Sequence, residues 1–556
     1  MIRYTSQHQL RIVDFKTPFE QSLSLDNRWV ILASVIPWDD LASVYHRQMS
    51  SDKGRGTINT RVVIGAMIVK HMLKLDDREV VHTLQENIYL QYFVGFSSFQ
   101  TKIAFDPSLL VTFRKRMGFI EFDEWSLSII KEIETFESAE SAESAELNQK
   151  ESGNKTDKTD KTQSDDKAKS APESALTTKP DSPISLKDTL IIDTTVAEQK
   201  IKYPTDLDLL NNVRVFTESL IDIFYELSPL TIKPRSYREN ARKDYLNAAL
   251  KRKKPQKVVR KAIKKQLGYI ERNLLTINNL WTILEENNIL IPFIVKTKIL
   301  CRNLYNLYNL YKKWLVCQEI YRQQRQMSDR HVNYCDDRIV SIDQPHVRPI
   351  LRGKAAKKIE FGSKVALSVV NGMNRVFKIS WDAYNDGVDL IGQVEAYKKQ
   401  YQKYPKLVLA DEIYMTKANR AYLKERNIQH RGQPLGRPKR DKQGQIINPY
   451  SKIQLKEANQ RNHVEGQFGT AKDAYDLTKV KAKTTATSES WIANVFFVLN
   501  IVKLLKVAQK AMAASLCLIL NRLKFNTFIL WFNRFVNTIR FNFQQLSYFN
   551  FSADSN

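Results

Sequence analysis

Along residues 60–75, TRVVIGAMIVKHMLKL, apolar positions recur at steps of three and four, the spacing that stacks side chains on one helical face. Similar patterns run through most of residues 1–136 and predict an all-helical first unit. Within it, LDDREVVHTLQENIYLQYFVG (75–95) reads as a capped helix, a turn and a second helix. Such a pair suits a helix-turn-helix, although helix pairs this plain are more often packed core. The pattern changes after residue 183. LKDTLIIDTTV (186–196) is a short apolar run of the kind that forms a buried strand. KVALSVVNG (364–372) and NRVFKISWD (374–382) predict a hairpin turning at Asn371-Gly372, and KLVLAD (406–411) another buried strand. Helical patterns fill about 207–335, including the tandem NLYNLYNLYKK, and return in LIGQVEAYKKQYQKY and TKANRAYLKE, the latter capped by Thr416. This order predicts an α/β domain with a mixed sheet over 184–506, carrying a large helical insertion, and a helical extension over 507–556.

Composition changes that picture in two places. From Glu137, ESAESAESAE and then TDKTDKTQSDDKAKSAPES have mixed charge and almost no aromatic side chains, so 137–183 reads as a disordered linker. Across the whole chain, 86 Lys and Arg face 60 Asp and Glu, a formal net charge of +26. That excess points to a polyanionic partner, most often nucleic acid. Four cysteines form no CxxC pair, as expected of thiols in a reducing compartment. The most apolar tract, WIANVFFVLNIVKLL (491–505), is short for a bilayer span and interrupted by Lys503. A cytoplasmic protein with no membrane partner is the expectation.

Candidate chemistry lies in carboxylates. LIID and LVLAD deliver Asp193 and Asp411 to the carboxyl ends of two predicted strands, where ligand sites in α/β sheets tend to lie. An aspartate opening a turn is the plainer reading of either one alone. RNHVEGQFGTAK (461–472) adds a third acid: at helical spacing Arg461, Glu465, Phe468 and Lys472 share a face, with Gly466 and Gly469 inside the turn. Three carboxylates from distant segments can hold two Mg2+ ions, with Mn2+ able to substitute. Such a pair activates the attacking oxygen and stabilises the leaving one at a phosphodiester. A solvated Arg461–Glu465 ion pair is the bland alternative. Cations supply further candidates for phosphate contact: Arg260, Lys261, Lys264 and Lys265 form a helical stripe, and Arg437, Lys439 and Arg440 sit in the Gly/Pro-rich loop GQPLGRPKRDKQGQ (432–445). His331, His346, His430 and His463 have no metal-ligand spacing, and no GxxxxGK[ST] is present.

The segment RNHVEGQFGTAK resembles the Arg-x3-Glu-x6-Lys part of the tyrosine-arginine-glutamate-lysine signature of bacterial insertion-sequence transposases with a DDE triad. LIIDTTVAEQKIKYPTDLDLLN (190–211) resembles their first-aspartate block. RIVSIDQPHVRPILRGKAAKKIEFGSKVALSVVNG and LVLADEIYMTKANRAYLKERNI resemble the later ones. The likeness covers roughly 10–136 and 185–506 and looks like the insertion-sequence-five group. It implies a ribonuclease H-like core with Asp193, Asp411 and Glu465 as catalytic, metal-holding triad, flanked by Arg461 and Lys472. It also implies a helical N-terminal domain that binds element ends, double-stranded DNA as partner (inverted-repeat ends and target), and a homodimer or larger synaptic assembly. The activity implied is cleavage at the element end and joining of the freed 3′-hydroxyl to target DNA. The sequence departs from the signature at its tyrosine position, which is Ala458. An inactive or regulatory DNA-binding relative is the rival reading, as is a nuclease that cuts without joining.

Overall fold

Ten residues rich in β-branched side chains, Thr189–Glu198, form strand β1 in the computed structural model. The structure describes residues 2–6, 12–17, 22–49, 56–102, 105–152, 183–287, 298–351, 359–434, 436 and 450–515. The other strands are β2 (Arg348–Leu351), β3 (Ile359–Val370), β4 (Met373–Ser380), β5 (Leu407–Leu409) and β6 (Gln429–His430). β3 runs antiparallel to β1, and β2 and β4 both pair antiparallel with β3. On the other side β5 is parallel to β1 and β6 is parallel to β5. The predicted hairpin is present: Asn371 (φ 49°) and Gly372 (φ 74°) both take the left-handed conformation a two-residue turn needs. β2 and β6, four and two residues long, are too short to show an alternating pattern in the sequence. At Gly362 only glycine fits, since a Cβ there would lie 1.9 Å from the Ala197 carbonyl oxygen on β1.

Before the sheet come α1 (Arg28–Val35), α2 (Trp38–His46), α3 (Thr60–Met72), α4 (Asp77–Glu86), α5 (Ile88–Phe93), α6 (Ser108–Arg116) and α7 (Phe119–Ser152). Asp76 caps α4, accepting from the Arg78 and Glu79 amides while the Glu79 carboxylate accepts from the Asp76 amide. One residue, Asn87, separates α4 from α5, and Leu90, Gln91, Tyr92 and Phe93 of α5 are buried while Ile88 and Tyr89 are partly so, which suits the packed-core reading of this pair.

Between β1 and β2 the chain makes α8 (Asp206–Leu227), α9 (Arg238–Ala249), α10 (Gln256–Glu286) and α11 (Lys298–Arg330), the predicted insertion. It has its own core, in which Leu210, Phe224, Ile270, Ile277, Trp314 and Ile320 meet. After the hairpin come α12 (Asp389–Tyr401), α13 (Lys417–Glu425), α14 (Lys452–Asn459), α15 (Asn462–Ala474) and α16 (Thr485–Ser515). α12 and α13 cover the face of the sheet that carries Leu190, Ile192 and Val408. α15 and α16 cover the opposite face, with Val464, Phe468, Ile492, Val495 and Phe496 against Ile191, Leu367 and Leu409.

α16 is long and apolar enough to cross a membrane, yet 78% of its apolar window is buried inside the protein. Over 487–501 it is apolar on nearly every side because it is covered there on nearly every side. One side meets the sheet; the other, through Phe497, Val498, Ile501 and Leu504, completes the core of α1–α7. Phe497 stacks between Phe122 and Trp125 of α7, with ring centroids 6.0 and 5.3 Å away. Asn500 fastens α16 to β4, accepting from the Asn374 amide at 2.8 Å and donating to its carbonyl at 2.7 Å.

Two boundaries read from composition therefore fall inside helices. The one at 136/137 cuts α7, which continues through ESAESAESAE to Ser152, since Ala and Glu are strong helix formers that need no burial. Glu137 itself is anchored: both its carboxylate oxygens accept from the Asn371 amide, and Lys503 and Lys187 pair with it. The boundary at 506/507 cuts α16. Residues 153–182 and 516–556, the rest of the predicted linker and extension, lie outside the described residues.

Candidate active site

Asp193 stands in the middle of β1, not at its carboxyl end as the apolar run suggests, because Thr194, Thr195 and Val196 carry the strand on against β3. Its place relative to β5 matters more. Ile191 pairs with Leu409, and there the ladder between β1 and β5 stops. Two residues further on each strand are Asp193 and Asp411, so the register brings the two aspartates level just beyond the end of β5. Asp411 caps a short 3-10 turn, Glu412–Tyr414, accepting from the Glu412 amide at 2.9 Å, and its side chain is exposed. Asp193 accepts from the Thr194 amide at 2.7 Å. By strand alternation Asp193 shares the face of Ile191 and Ala197, under α15, while Thr194 points to the α12–α13 side.

α15 places Glu465 over that face. Val464, Phe468 and Ala471 form its buried stripe, so Phe468 belongs to the core and not to the Arg461/Glu465 stripe where spacing alone puts it. The Arg461 guanidinium bridges two of the acids, 3.0 Å from Glu465 Oε1 and 4.0 Å from Asp193 Oδ2. Glu465 is half exposed and the pair sits one helical turn apart. Such a pair is worth roughly 0.3–0.5 kcal/mol, too little to keep Glu465 from a stronger cationic partner. Gly466 and Gly469 face open space: a Cβ at either would meet nothing within 4 Å. No packing inside the protein requires them.

The donor chemistry fits Mg2+ or Mn2+, since all three acids offer hard carboxylate oxygens. Among the described residues, however, no three acidic, histidine or cysteine side chains converge tightly enough to hold an ion. Arg461 links Asp193 and Glu465, and Asp411 follows β5, the strand beside β1.

The other predicted residues are dispersed. Lys472 lies in the last turn of α15, half-buried, and its carbonyl accepts from the Thr478 hydroxyl at 2.7 Å. Arg260, Lys261 and Lys264 are exposed on α10 and line a groove of about 510 Å³ together with Arg325, His331, Asp206 and Asp329 of the insertion; none of Asp193, Asp411 and Glu465 lines it. Lys265 leaves this group: its ammonium is held 2.8 Å from Asp244, the main reason its pKa is raised. Arg437, Lys439 and Arg440 lie outside the described residues. Ala458 is half-buried in α14, one turn before Arg461, and offers no hydroxyl.

Two features have no counterpart in the sequence reading. Arg431 and Glu457 form a buried ion pair, and Glu457 Oε1 also accepts from the Ile184 amide at 2.9 Å, tying the start of the α/β domain to α14. On the α12–α13 side, the Tyr414 hydroxyl hydrogen-bonds Thr194 Oγ1 at 2.7 Å in a fully buried setting. Neither pairing has a sequence signal, since each joins residues hundreds apart or in unrelated patterns.

Two families of known proteins match parts of this chain. Residues 408–502 match the family described as Transposase DDE domain, and residues 17–116 match Transposase domain (DUF772). A protein of Rhizobium meliloti, described as uncharacterized protein ORF8 in nfe locus, is 39% identical over 92 residues, which is 16% of this chain. The chain thus spans 42% of the length of that relative. No solved structure matches.

Proposed function

We propose that this chain is an insertion-sequence transposase, a reading the two matching transposase families support, and that it cuts DNA at the ends of its own element and joins them to a target. The observation that carries this reading is the placement of Asp193 on β1 and Asp411 just past β5, each two residues beyond the last pair of the parallel ladder, with Glu465 tied to Asp193 through Arg461. Sheet order supports a ribonuclease H-like core. Read from the hairpin edge it is β4-β3-β1-β5-β6, antiparallel up to β1 and parallel after it.

Asp193, Asp411 and Glu465 would hold two divalent cations, whose charge makes water acidic enough to attack and stabilises the oxygen that leaves. Each remaining role falls to this chain's own groups. Arg461 lies beside the acids and can transfer its charge from Glu465 to a non-bridging phosphate oxygen. The open face at Gly466 and Gly469 admits a DNA backbone close to α15. Hydrolysis forms a P–O bond to the water oxygen as the P–O3′ bond breaks, leaving a 5′-phosphate and, with a proton taken up by the departing oxygen, a free 3′-hydroxyl. That hydroxyl then attacks a target phosphodiester, forming one P–O bond as another breaks, so no nucleotide is consumed. Two ends and one target call for a dimer or larger assembly around double-stranded DNA.

Ala458 favours a second reading, a regulatory relative that binds DNA without cutting it. Incubation of the chain with a duplex bearing an element end separates the two. Mg2+-dependent nicks and strand-transfer products carrying a marked 3′ end are expected. Tight binding with no cleavage in Mg2+ or Mn2+ would favour the regulatory reading.

The basic face of α10 would extend the DNA path onto the insertion. Replacing Arg260, Lys261 and Lys264 together with Glu is expected to weaken binding to specific and random duplexes alike. The plot of log K against log salt should flatten by about 0.9 for each phosphate that the protein no longer neutralises. Lys265→Glu alone should do much less, because its charge is already engaged by Asp244. An unchanged salt slope in the triple variant would move the DNA path off this helix.

A further inference from the structure

From the packing beneath the two aspartates we infer that Tyr414 is a positioning residue, which sets the separation of Asp193 and Asp411 by hydrogen-bonding Thr194 through the sheet. This rests on the reading of Asp193 and Asp411 as ligands of one divalent-cation site.

Beyond Ile191 and Leu409 the β1–β5 ladder gives no further support, yet the acids lie two residues past it. What continues the link is a pair of hydroxyls. Thr194 follows Asp193 directly, and its amide donates to Asp193 Oδ1. Tyr414 closes the turn that Asp411 opens, with the Tyr414 amide donating to the Asp411 carbonyl at 3.0 Å. The 2.7 Å hydrogen bond between Thr194 Oγ1 and the Tyr414 hydroxyl therefore joins the peptide next to one acid to the turn capped by the other.

Tyr414 is itself held on every side. Its ring is fully buried among Ile192, Leu390, Val394 and Leu423. Its carbonyl accepts from Asn419 Nδ2 at 2.7 Å, and the same amide group donates to the Gly387 carbonyl at 2.7 Å. A hydroxyl fixed this firmly restrains Thr194, and through it the strand carrying Asp193. Groups that orient ligating carboxylates in this way commonly alter cation affinity by about ten- to a hundredfold.

The test is direct Mn2+ binding to the full chain, followed by disappearance of the free-ion paramagnetic resonance signal, with thermal unfolding measured alongside. Tyr414→Phe keeps the ring and removes only the hydroxyl. It is expected to weaken Mn2+ binding about tenfold while the unfolding midpoint stays near wild type. Thr194→Val should weaken it similarly, and the double variant should show little further weakening, because both changes remove one shared hydrogen bond. Asp193→Asn should remove the site. If Asp193→Asn abolishes binding but Tyr414→Phe leaves the affinity unchanged, or if the Tyr414 and Thr194 effects simply add, the positioning role is wrong. Mn2+ binding that survives Asp193→Asn would instead sink the ligand assignment, and this inference with it, as would a wild-type chain that takes up no Mn2+.

Discussion

Asp193→Asn, Asp411→Asn and Glu465→Gln are each expected to lower cleavage of an element end by at least about a hundredfold, the scale seen when one charge-stabilising group is removed from a transition state. Binding of the end should stay nearly unchanged. Each substitution keeps the shape of the side chain and removes a negative charge. The backbone amides that Asp193 and Asp411 accept from, those of Thr194 and Glu412, can still donate to an amide oxygen, so local structure survives. Glu465 is the most informative of the three. It is exposed and its partner Arg461 is a weak tether, so Glu465→Gln costs the fold almost nothing. Loss of activity there has to come from the reaction itself. Near wild-type cleavage in Mg2+ by any one variant would remove that residue from the proposed triad.

The largest effect on stability is expected at Phe497. Its ring fills the space between Phe122 and Trp125 from across the chain, and all three are essentially inaccessible to solvent. Phe497→Ala should destabilise this core by roughly 3–5 kcal/mol, the usual cost of an aromatic cavity that cannot collapse. Leu315→Ala, at an exposed position of α11, should change stability by under about 0.5 kcal/mol. Hydrogen exchange would locate the weakened region: amides of α2, α3 and α7 should become less protected in Phe497→Ala. For the same reason residues 1–136 made alone should lack a cooperative unfolding transition, since α16 is missing from their core. A protected, cooperatively melting 1–136 fragment would contradict the shared core.

Where the sequence is legible, local chemistry determines the outcome. Asn371-Gly372 can hardly be anything but a tight turn, Thr416 caps α13 by accepting from the Asn419 amide, and β1, β3 and β4 follow their apolar runs. Where it is not, the deciding partner comes from far away. Ala and Glu repeats have no apolar face, so nothing near ESAESAESAE announces that Glu137 is gripped by Asn371 and Lys503. Phe468 and Glu465 lie three apart, within one face by spacing, but the sheet takes the edge with Phe468 and leaves Glu465 on the open one. The site shows the same division. Its three acids and Arg461 can be picked out one by one, whereas the level register of Asp193 with Asp411 and the Thr194–Tyr414 hydrogen bond exist only once β1 and β5 are paired.

The shared helix also sets a timetable. The ribosome delivers α3 and α7 long before α16, and at about 5–20 residues per second the interval from Trp125 to Phe497 is roughly 19–74 s. Throughout it Phe122 and Trp125 wait without the ring that covers them, and the sheet lacks the layer that backs Ile191 and Leu409. Long-range closure of this kind is slow and leaves apolar surface open to aggregation or to a chaperone. A message cut short before codon 485 would encode Asp193, Asp411, Glu465 and Arg461 in full and yield a product with every acid present and no folded sheet to hold them level.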